Sequence, residues 1–323
     1  MDKNDFRIIF MGTPDFAVES LKTLTENGYN IVAVVTNPDK PAGRGQKIKE
    51  SAVKKYAVSQ GLTVLQPKNL KDEHFREDLH KLQPSLQVVV AFKILPPSIF
   101  TLPEYGTFNL HASLLPQYRG AAPINHAIIN GENETGVTTF FLDEKVDTGK
   151  IIDNRKVSIS ETDTAGTLHD KLMKSGAELV KSTIERIIDQ TYSIIPQDEL
   201  AKNFEELKKA PKIFNEDCRI NWKSDIKELY NFIRGLSPYP AAWTIFIDTE
   251  GNRKKTKIFF SEPIAEKHNF KAGTIVSDQK TYLKVAAKNG FMDIKKLQLE
   301  GKKKMQIDEF LRGIRSLDNC VFE

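Results

Sequence analysis

A doubly wound, mostly parallel α/β sheet followed by a small β-barrel is the fold that the sequence predicts. Three observations predict it. Across residues 1–190, short apolar runs alternate with segments of helical spacing. Beyond residue 211 that alternation gives way to five short β-like runs with turn residues between them. Residues 191–210, which separate the two regions, mix Pro, Asp, Asn and Lys and read as a linker. The expected organisation is a domain at 1–190, a linker at 191–210 and a second domain at 211–323.

The elements follow in order. Arg7–Gly12 (RIIFMG) is a short apolar run, expected as a buried strand. Asp15–Asn27 spaces Phe16, Val18, Leu21 and Leu24 as one face of a helix. Asn30–Asn37 (NIVAVVTN) is β-branched and continuous, and Asn37–Ser51 is a glycine- and proline-rich loop. Ser51–Gly61 reads as a helix, LTVLQP as a short strand, Asp72–Leu82 as a helix and Leu86–Phe92 (LQVVVAF) as a buried strand. TFNLHA, GVTTFFL and KIIDNRKVSI continue the strands, and a helix spans Thr164–Gln190. In the second region a helix at Ser224–Gly235 precedes AAWTIFI, KIFFS, AGTIVS, YLKVAA and FMDIKKLQL.

Composition narrows the class. The chain has 323 residues, 40% hydrophobic and 28% charged, as in soluble globular proteins. No apolar run is long enough to span a bilayer, and the start, MDKNDFRIIFMG, has no signal-peptide pattern. The two cysteines, Cys218 and Cys320, form no CxxC pair, so a cytoplasmic protein with reduced thiols is expected. Six histidines make neither HExxH nor a zinc-like cluster, and no metal is expected. The net charge of +4 is uneven: residues 211–323 carry 21 Lys and Arg against 15 Asp and Glu. That suits a polyanionic partner, and a merely solvated surface explains it equally well.

Motifs narrow the chemistry further. Gly12–Pro14 opens a helix, but neither GxGxxG nor a Walker sequence occurs, which argues against a nucleotide cofactor. In the strand at 107–112, Asn109 and His111 share a face and lie roughly 6.5–7 Å apart along it, close enough to address one small group. The turn after GVTTFFL offers Asp143, Glu144 and Asp147. An aspartate in a turn ordinarily bonds its own backbone. Asp147, however, would leave the same sheet edge as His111, where a carboxylate charges and orients an imidazole. The nearby hydroxyls, Ser113, Tyr118 and Thr148, lie in no nucleophile-elbow sequence, so a covalent acyl-enzyme is not expected. What fits is direct acyl transfer, with the Asn109 amide and an imidazolium at His111 donating to an oxyanion. A satisfied buried histidine is the alternative. The loop at Asn37–Ser51 carries Lys40, Arg44, Lys47 and Lys49, a hand for phosphates or a plain solvated loop.

The stretch HASLLPQYRGAAPINHAIINGENETGVTTFFLDEKVDTGKI (His111–Ile151) resembles the signature of the folate-dependent formyltransferases. FMGTPDFAVESL, NPDKPAGRGQK, NFIRGLSPYPAAWT and LQLEGKKKMQIDEFLRG extend the likeness over nearly the whole chain, toward members that act on aminoacylated tRNA. The resemblance implies a Rossmann-like formyltransferase domain and an OB-like β-barrel domain. It implies 10-formyltetrahydrofolate as formyl donor, the amine of initiator Met-tRNA as acceptor, no membrane partner and a monomer. It assigns Asn109, His111 and Asp147 to catalysis. Ser113, Leu114, Leu115 and Pro116 match the folate-contacting segment, and Ile94 and Leu95 the apolar edge of the pterin pocket. Lys40, Arg44 and Lys47 match the basic loop that meets the acceptor end. One departure is visible: many relatives have tyrosine and glycine before the KILP-like segment, where this chain has Phe92 directly before Lys93. Formyl transfer to a small amine, formylfolate hydrolysis and non-catalytic RNA binding remain as rival readings.

Overall fold

The computed structural model describes residues 3–42 and 47–323. The chain forms two compact units, Met1–Gly120 with Glu134–Ser158 and His169–Lys209, and Ala121–Asn133 with Ile159–Leu168 and Ala210–Glu323.

The chain begins with β1 (Ile8–Gly12), α1 (Asp15–Glu26) and β2 (Ile31–Val35). Next come β3 (Lys40–Ala42), β4 (Lys47–Lys49), α2 (Ala52–Ser59), β5 (Val64–Leu65), α3 (Glu73–Lys81) and β6 (Leu86–Val90). After α4 (Pro97–Phe100) and β7 (Thr107–His111) come β8 (Arg119–Gly120), α5 (Pro123–Ile129), β9 (Glu134–Phe141), β10 (Ile151–Ser158) and α6 (Ala165–Ile188). The first unit's sheet has the order β10-β9-β7-β6-β1-β2-β5. Strands β7, β6, β1, β2 and β5 pair in parallel, while β9 pairs antiparallel with β7 and β10. The mostly parallel α/β fold read from the sequence is therefore present, with an antiparallel edge. β1 and β6 are buried along their whole length, as strands covered on both faces must be. Ile9, Met11, Ala33, Val35, Phe75, Leu79, Val89 and Ile99 form one layer of the core.

Two features differ from the sequence reading. The basic loop contains a hairpin, with Lys40, Pro41 and Ala42 paired to Lys49, Ile48 and Lys47. Three-residue strands are too short to show a period. Residues 191–210 hold α7 (Gln197–Ala201), and Ile195 bridges Ile151 through a reciprocal pair of 2.9 Å backbone bonds.

β11 (Lys209–Ala210) precedes α8 (Ile226–Leu236). Then follow β12 (Ala242–Ile247), β13 (Arg253–Ile264), β14 (Ile275–Ser277), β15 (Leu283–Ala286) and β16 (Phe291–Leu299). The chain ends with β17 (Met305–Gln306), α9 (Ile307–Arg312) and β18 (Val321–Phe322). The sheet β14-β15-β16-β13-β12-β18, with β17 on β16, is antiparallel and encloses Trp222, Phe246, Ile258, Met292, Leu297, Phe310 and Phe322, matching the expected barrel-like fold. Helix α8 starts at a reciprocal capping box between Asp225 and Glu228. It packs closely on α5: a Cβ at Gly235 would lie 2.7 Å from Ile129, and Asn125 donates to the Gly235 carbonyl at 2.7 Å. This long-range packing groups residues 121–133 with the second unit.

Candidate active site

β7 ends at the carboxyl edge of the parallel sheet, between β6 and β9, where open α/β sheets bind ligands. Its alternation is as the sequence implies. Phe108 and Leu110 are buried in the core, and Asn109 and His111 share the other face. Asn109 is half-buried, and its side-chain amide has no hydrogen-bond partner among the described residues. Its donors are therefore unspent.

His111 is buried, and its Nε2 lies 2.9 Å from the Tyr118 carbonyl. A carbonyl only accepts, so Nε2 carries the proton and donates. The nitrogen left for chemistry is Nδ1, an acceptor in the neutral ring and a donor in the imidazolium.

Asp147 has a left-handed backbone, φ +56°, and its Oδ2 accepts the Gly120 N–H at 3.1 Å. Its carboxylate makes no direct hydrogen bond or ion pair with His111 among the described residues. The sequence reading places the carboxylate on the ring. Here the two side chains instead meet the same backbone segment, at Tyr118 and at Gly120. Asp143 serves its own turn, accepting from the Lys145 N–H at 2.9 Å and the Thr148 hydroxyl at 2.8 Å, and Glu144 is exposed.

The segment Ser113–Pro116 is tightly held. Ser113 is fully buried and donates to the Gln117 carbonyl at 2.7 Å. Thr138 on β9 donates to the Ser113 carbonyl at 2.7 Å and accepts the Leu115 N–H at 3.2 Å. Leu115 packs with Phe140 and Ile151, and the Leu115–Pro116 peptide is cis. Leu114 is half-buried above Gly136, where a Cβ would come within 2.5 Å of its Cδ2. Of the expected folate residues, then, Ser113 and Leu115 turn their side chains inward. Ile94 and Leu95 divide in the same way. Leu95 is buried in the core, while Ile94 is 74% exposed, just after the left-handed Ala91 that ends β6.

The basic hairpin stands on a polar base. Lys54 on α2 binds Asp39, which precedes β3, and Glu50, which follows β4, at 3.0 Å for the latter. Those hydrogen bonds hold the Lys54 ammonium above its ordinary range. The bonds from Lys54 and Gln66 hold the Asp39 carboxyl below its own. Lys40 is exposed. Arg44 and the side chain of Lys47 lie outside the described residues. Among the described residues, no group of three His, Cys, Asp or Glu side chains is arranged to hold a metal ion, and no helix is long and apolar enough to cross a membrane.

Sequence reasoning missed Gln197, which sits in the expected linker. It is 2% exposed and hydrogen-bonds both the Asp147 loop and Arg119. The sequence signal available was weak: a glutamine after a proline, at the start of a short helical pattern.

Residues 6–184 match the family model described as formyl transferase, and residues 212–315 match that described as formyl transferase, C-terminal domain. The chain is 55% identical over 318 residues to a methionyl-tRNA formyltransferase of Parabacteroides distasonis, with 98% of each chain covered. It is 55% identical over 324 residues to one of Phocaeicola vulgatus, covering both chains completely. Among solved structures, an N-formyltransferase of Helicobacter canadensis in complex with folinic acid and dTDP-3-aminofucose is 25% identical, with a TM-score of 0.63 over 94% of this chain and 100% of that one.

Proposed function

The chain belongs to the formyl transferase family in both of its parts, and we propose that it moves the formyl group of 10-formyltetrahydrofolate onto the α-amine of methionine carried by initiator tRNA. The observation that carries this reading is full-length identity of 55% to relatives named for that reaction. The aminosugar-bound relative is 25% identical. On this reading the protein works in the cytoplasm as a single chain.

When bound, 10-formyltetrahydrofolate supplies a formyl carbonyl on a nitrogen that can leave. The chain's residues do the rest. An α-amine, with a reference pKa near 8, is neutral in a useful fraction at physiological pH and can attack. Asn109 donates its unspent N–H groups to the carbonyl oxygen as it becomes negative. His111, fixed through Nε2 on Tyr118, takes a proton at Nδ1 when neutral and donates from it when charged. Asp147 fixes Gly120 through its carboxylate, two residues from the carbonyl that holds the ring. The unspent amide of Asn109 suits the carbonyl of such a folate, and the exposed Ile94 and half-buried Leu114 offer apolar surface to its rings. The tRNA would be held by the hairpin residues Lys40, Arg44 and Lys47 and by the cationic C-terminal region, through phosphate contacts that weaken with salt.

The deciding experiment is mass spectrometry of Met-tRNA after incubation with the protein and formylfolate, with initiator tRNA, elongator tRNA, an amino-sugar nucleotide and no acceptor in parallel. Formylmethionine on the initiator alone is expected. A formylated sugar, or free formate without an acceptor, would move the reading to a small-amine transferase or a hydrolase.

A further inference from the structure

We propose that Gln197 is the positioning residue of the site, its buried carboxamide joining the backbone of the Asp147 loop to the side chain of Arg119, which lies between Tyr118 and Gly120. This rests on the reading of His111 and Asp147 as catalytic. Gln197 Nε2 donates to the carbonyls of Asp147 at 3.0 Å and Gly149 at 2.8 Å. Its Oε1 accepts from Arg119 Nε at 2.9 Å and Nη2 at 2.7 Å. A carboxamide has two N–H donors and two acceptor lone pairs, and here all four are used inside the protein. A side chain 2% exposed that is satisfied in this way can adopt only one orientation.

The four bonds close a ring. Gln197 holds Arg119, whose chain neighbour Gly120 donates to the Asp147 carboxylate at 3.1 Å. The Asp147 carbonyl returns to Gln197. Asp147 is thus held by its carboxylate on one side and its carbonyl on the other. That double hold matters because Asp147 is left-handed at φ +56°, a conformation that a residue with a Cβ keeps only where its surroundings fix it. Gly149 is pinned as well, since a Cβ there would lie 1.7 Å from the Phe141 carbonyl oxygen. On the other side of Arg119, the Tyr118 carbonyl receives the His111 ring. One amide therefore links the loop that carries the carboxylate to the residue between the imidazole's anchor and the carboxylate's own partner. Glutamate cannot replace it: the Arg119 fork would remain, but an acceptor would face two carbonyl oxygens.

The test uses the full-length protein and the variants Gln197→Glu and Gln197→Met, read by hydrogen exchange and by steady-state kinetics. In Gln197→Glu, exchange of the Gly120 amide and of the amides at 145–150 rises about tenfold or more, with the β1 and β6 amides unchanged. Its kcat falls about 10²-fold, the scale of an ångström-sized misplacement, while KM for formylfolate and Met-tRNA stays within about threefold. Gln197→Met shows the same pattern more strongly. If it fails to fold, the glutamate variant alone decides. Unchanged exchange at Gly120 and 145–150, or an unchanged kcat, would overturn the proposal. If the parent protein formylates no Met-tRNA, the functional reading falls while the exchange data still decide the role of Gln197.

Discussion

His111 and Asp147 bind the same stretch of backbone two residues apart: the ring donates to the Tyr118 carbonyl at 2.9 Å, and the carboxylate accepts the Gly120 N–H at 3.1 Å. On the proposed mechanism the carboxylate has two separable jobs, holding the segment and supplying charge. In Asp147→Asn the remaining side-chain oxygen can still accept from Gly120, so geometry is kept while charge is lost. The expectation is a kcat about 10²-fold lower with slow exchange at Gly120 preserved. Asp147→Ala should lose both. Fast exchange at Gly120 in the asparagine variant would show that the charge itself holds the segment.

On the proposed mechanism Asn109 acts only as charge develops on the formyl oxygen. Removing a donor of that kind costs about 10²–10³ in rate. Asn109→Ala should therefore lower kcat by about that factor and leave KM for formylfolate nearly unchanged. No buried partner is left unsatisfied, because the amide has none among the described residues, so the melting temperature should barely move. A rise in KM with kcat preserved would place Asn109 in ground-state binding instead.

These two residues were legible because a strand has period two: Phe108 and Leu110 mark the core face, and Asn109 and His111 stand out on the other. The continuous runs of β1 and β6 were legible for a related reason, since strands covered on both faces need no polar alternation. The remainder depends on contacts between residues distant in sequence. Nothing in QDEL announces that Gln197 will meet Asp147, 50 positions away, and Arg119, 78 positions away. The β3–β4 hairpin was hidden by its three-residue arms. The strand pattern puts Asp147 in the turn after β9, but it does not set the distance between carboxylate and ring.

Gly136 connects the segment at 113–116 to the sheet edge. A Cβ there would lie 2.3 Å from the Arg155 carbonyl oxygen on β10 and 2.5 Å from Leu114 Cδ2. The backbone contact cannot yield cheaply, because Lys156 on β10 pairs with Gly136 itself. Gly136→Ala should therefore part the β9–β10 edge and displace Leu114. The expected cost is about 1–3 kcal/mol in denaturant unfolding, the usual scale of overpacking, with a raised KM for formylfolate. If Leu114 has no part in folate binding, stability will fall while that KM stays put.

Lys54 joins the two stems of the basic hairpin, since its ammonium binds Asp39 before β3 and Glu50 after β4. α2 is itself anchored, because its N-cap Ser51 bonds Thr36 beyond the end of β2 at 2.8 Å. Cutting the tie should free the stems without touching β7. Lys54→Met is expected to raise KM for Met-tRNA about fivefold, the upper scale of a partly exposed ion pair, and to leave KM for formylfolate unchanged. Lys54→Arg should restore most of the loss. The pH dependence follows from the two shifts. Asp39 is held below the ordinary carboxyl value of 3.8, so its contribution is present above that value and is lost as pH falls through the lower folded one. Lys54 is held above the ordinary 10.5, so its contribution is present below that value and is lost as pH rises through the higher folded one. Across the span between 3.8 and 10.5 the tie is intact, and the Lys54→Met penalty in KM for Met-tRNA should be flat with pH there. Equal losses for both substrates, or a penalty that varies steeply near neutral pH, would assign Lys54 to something other than the hairpin.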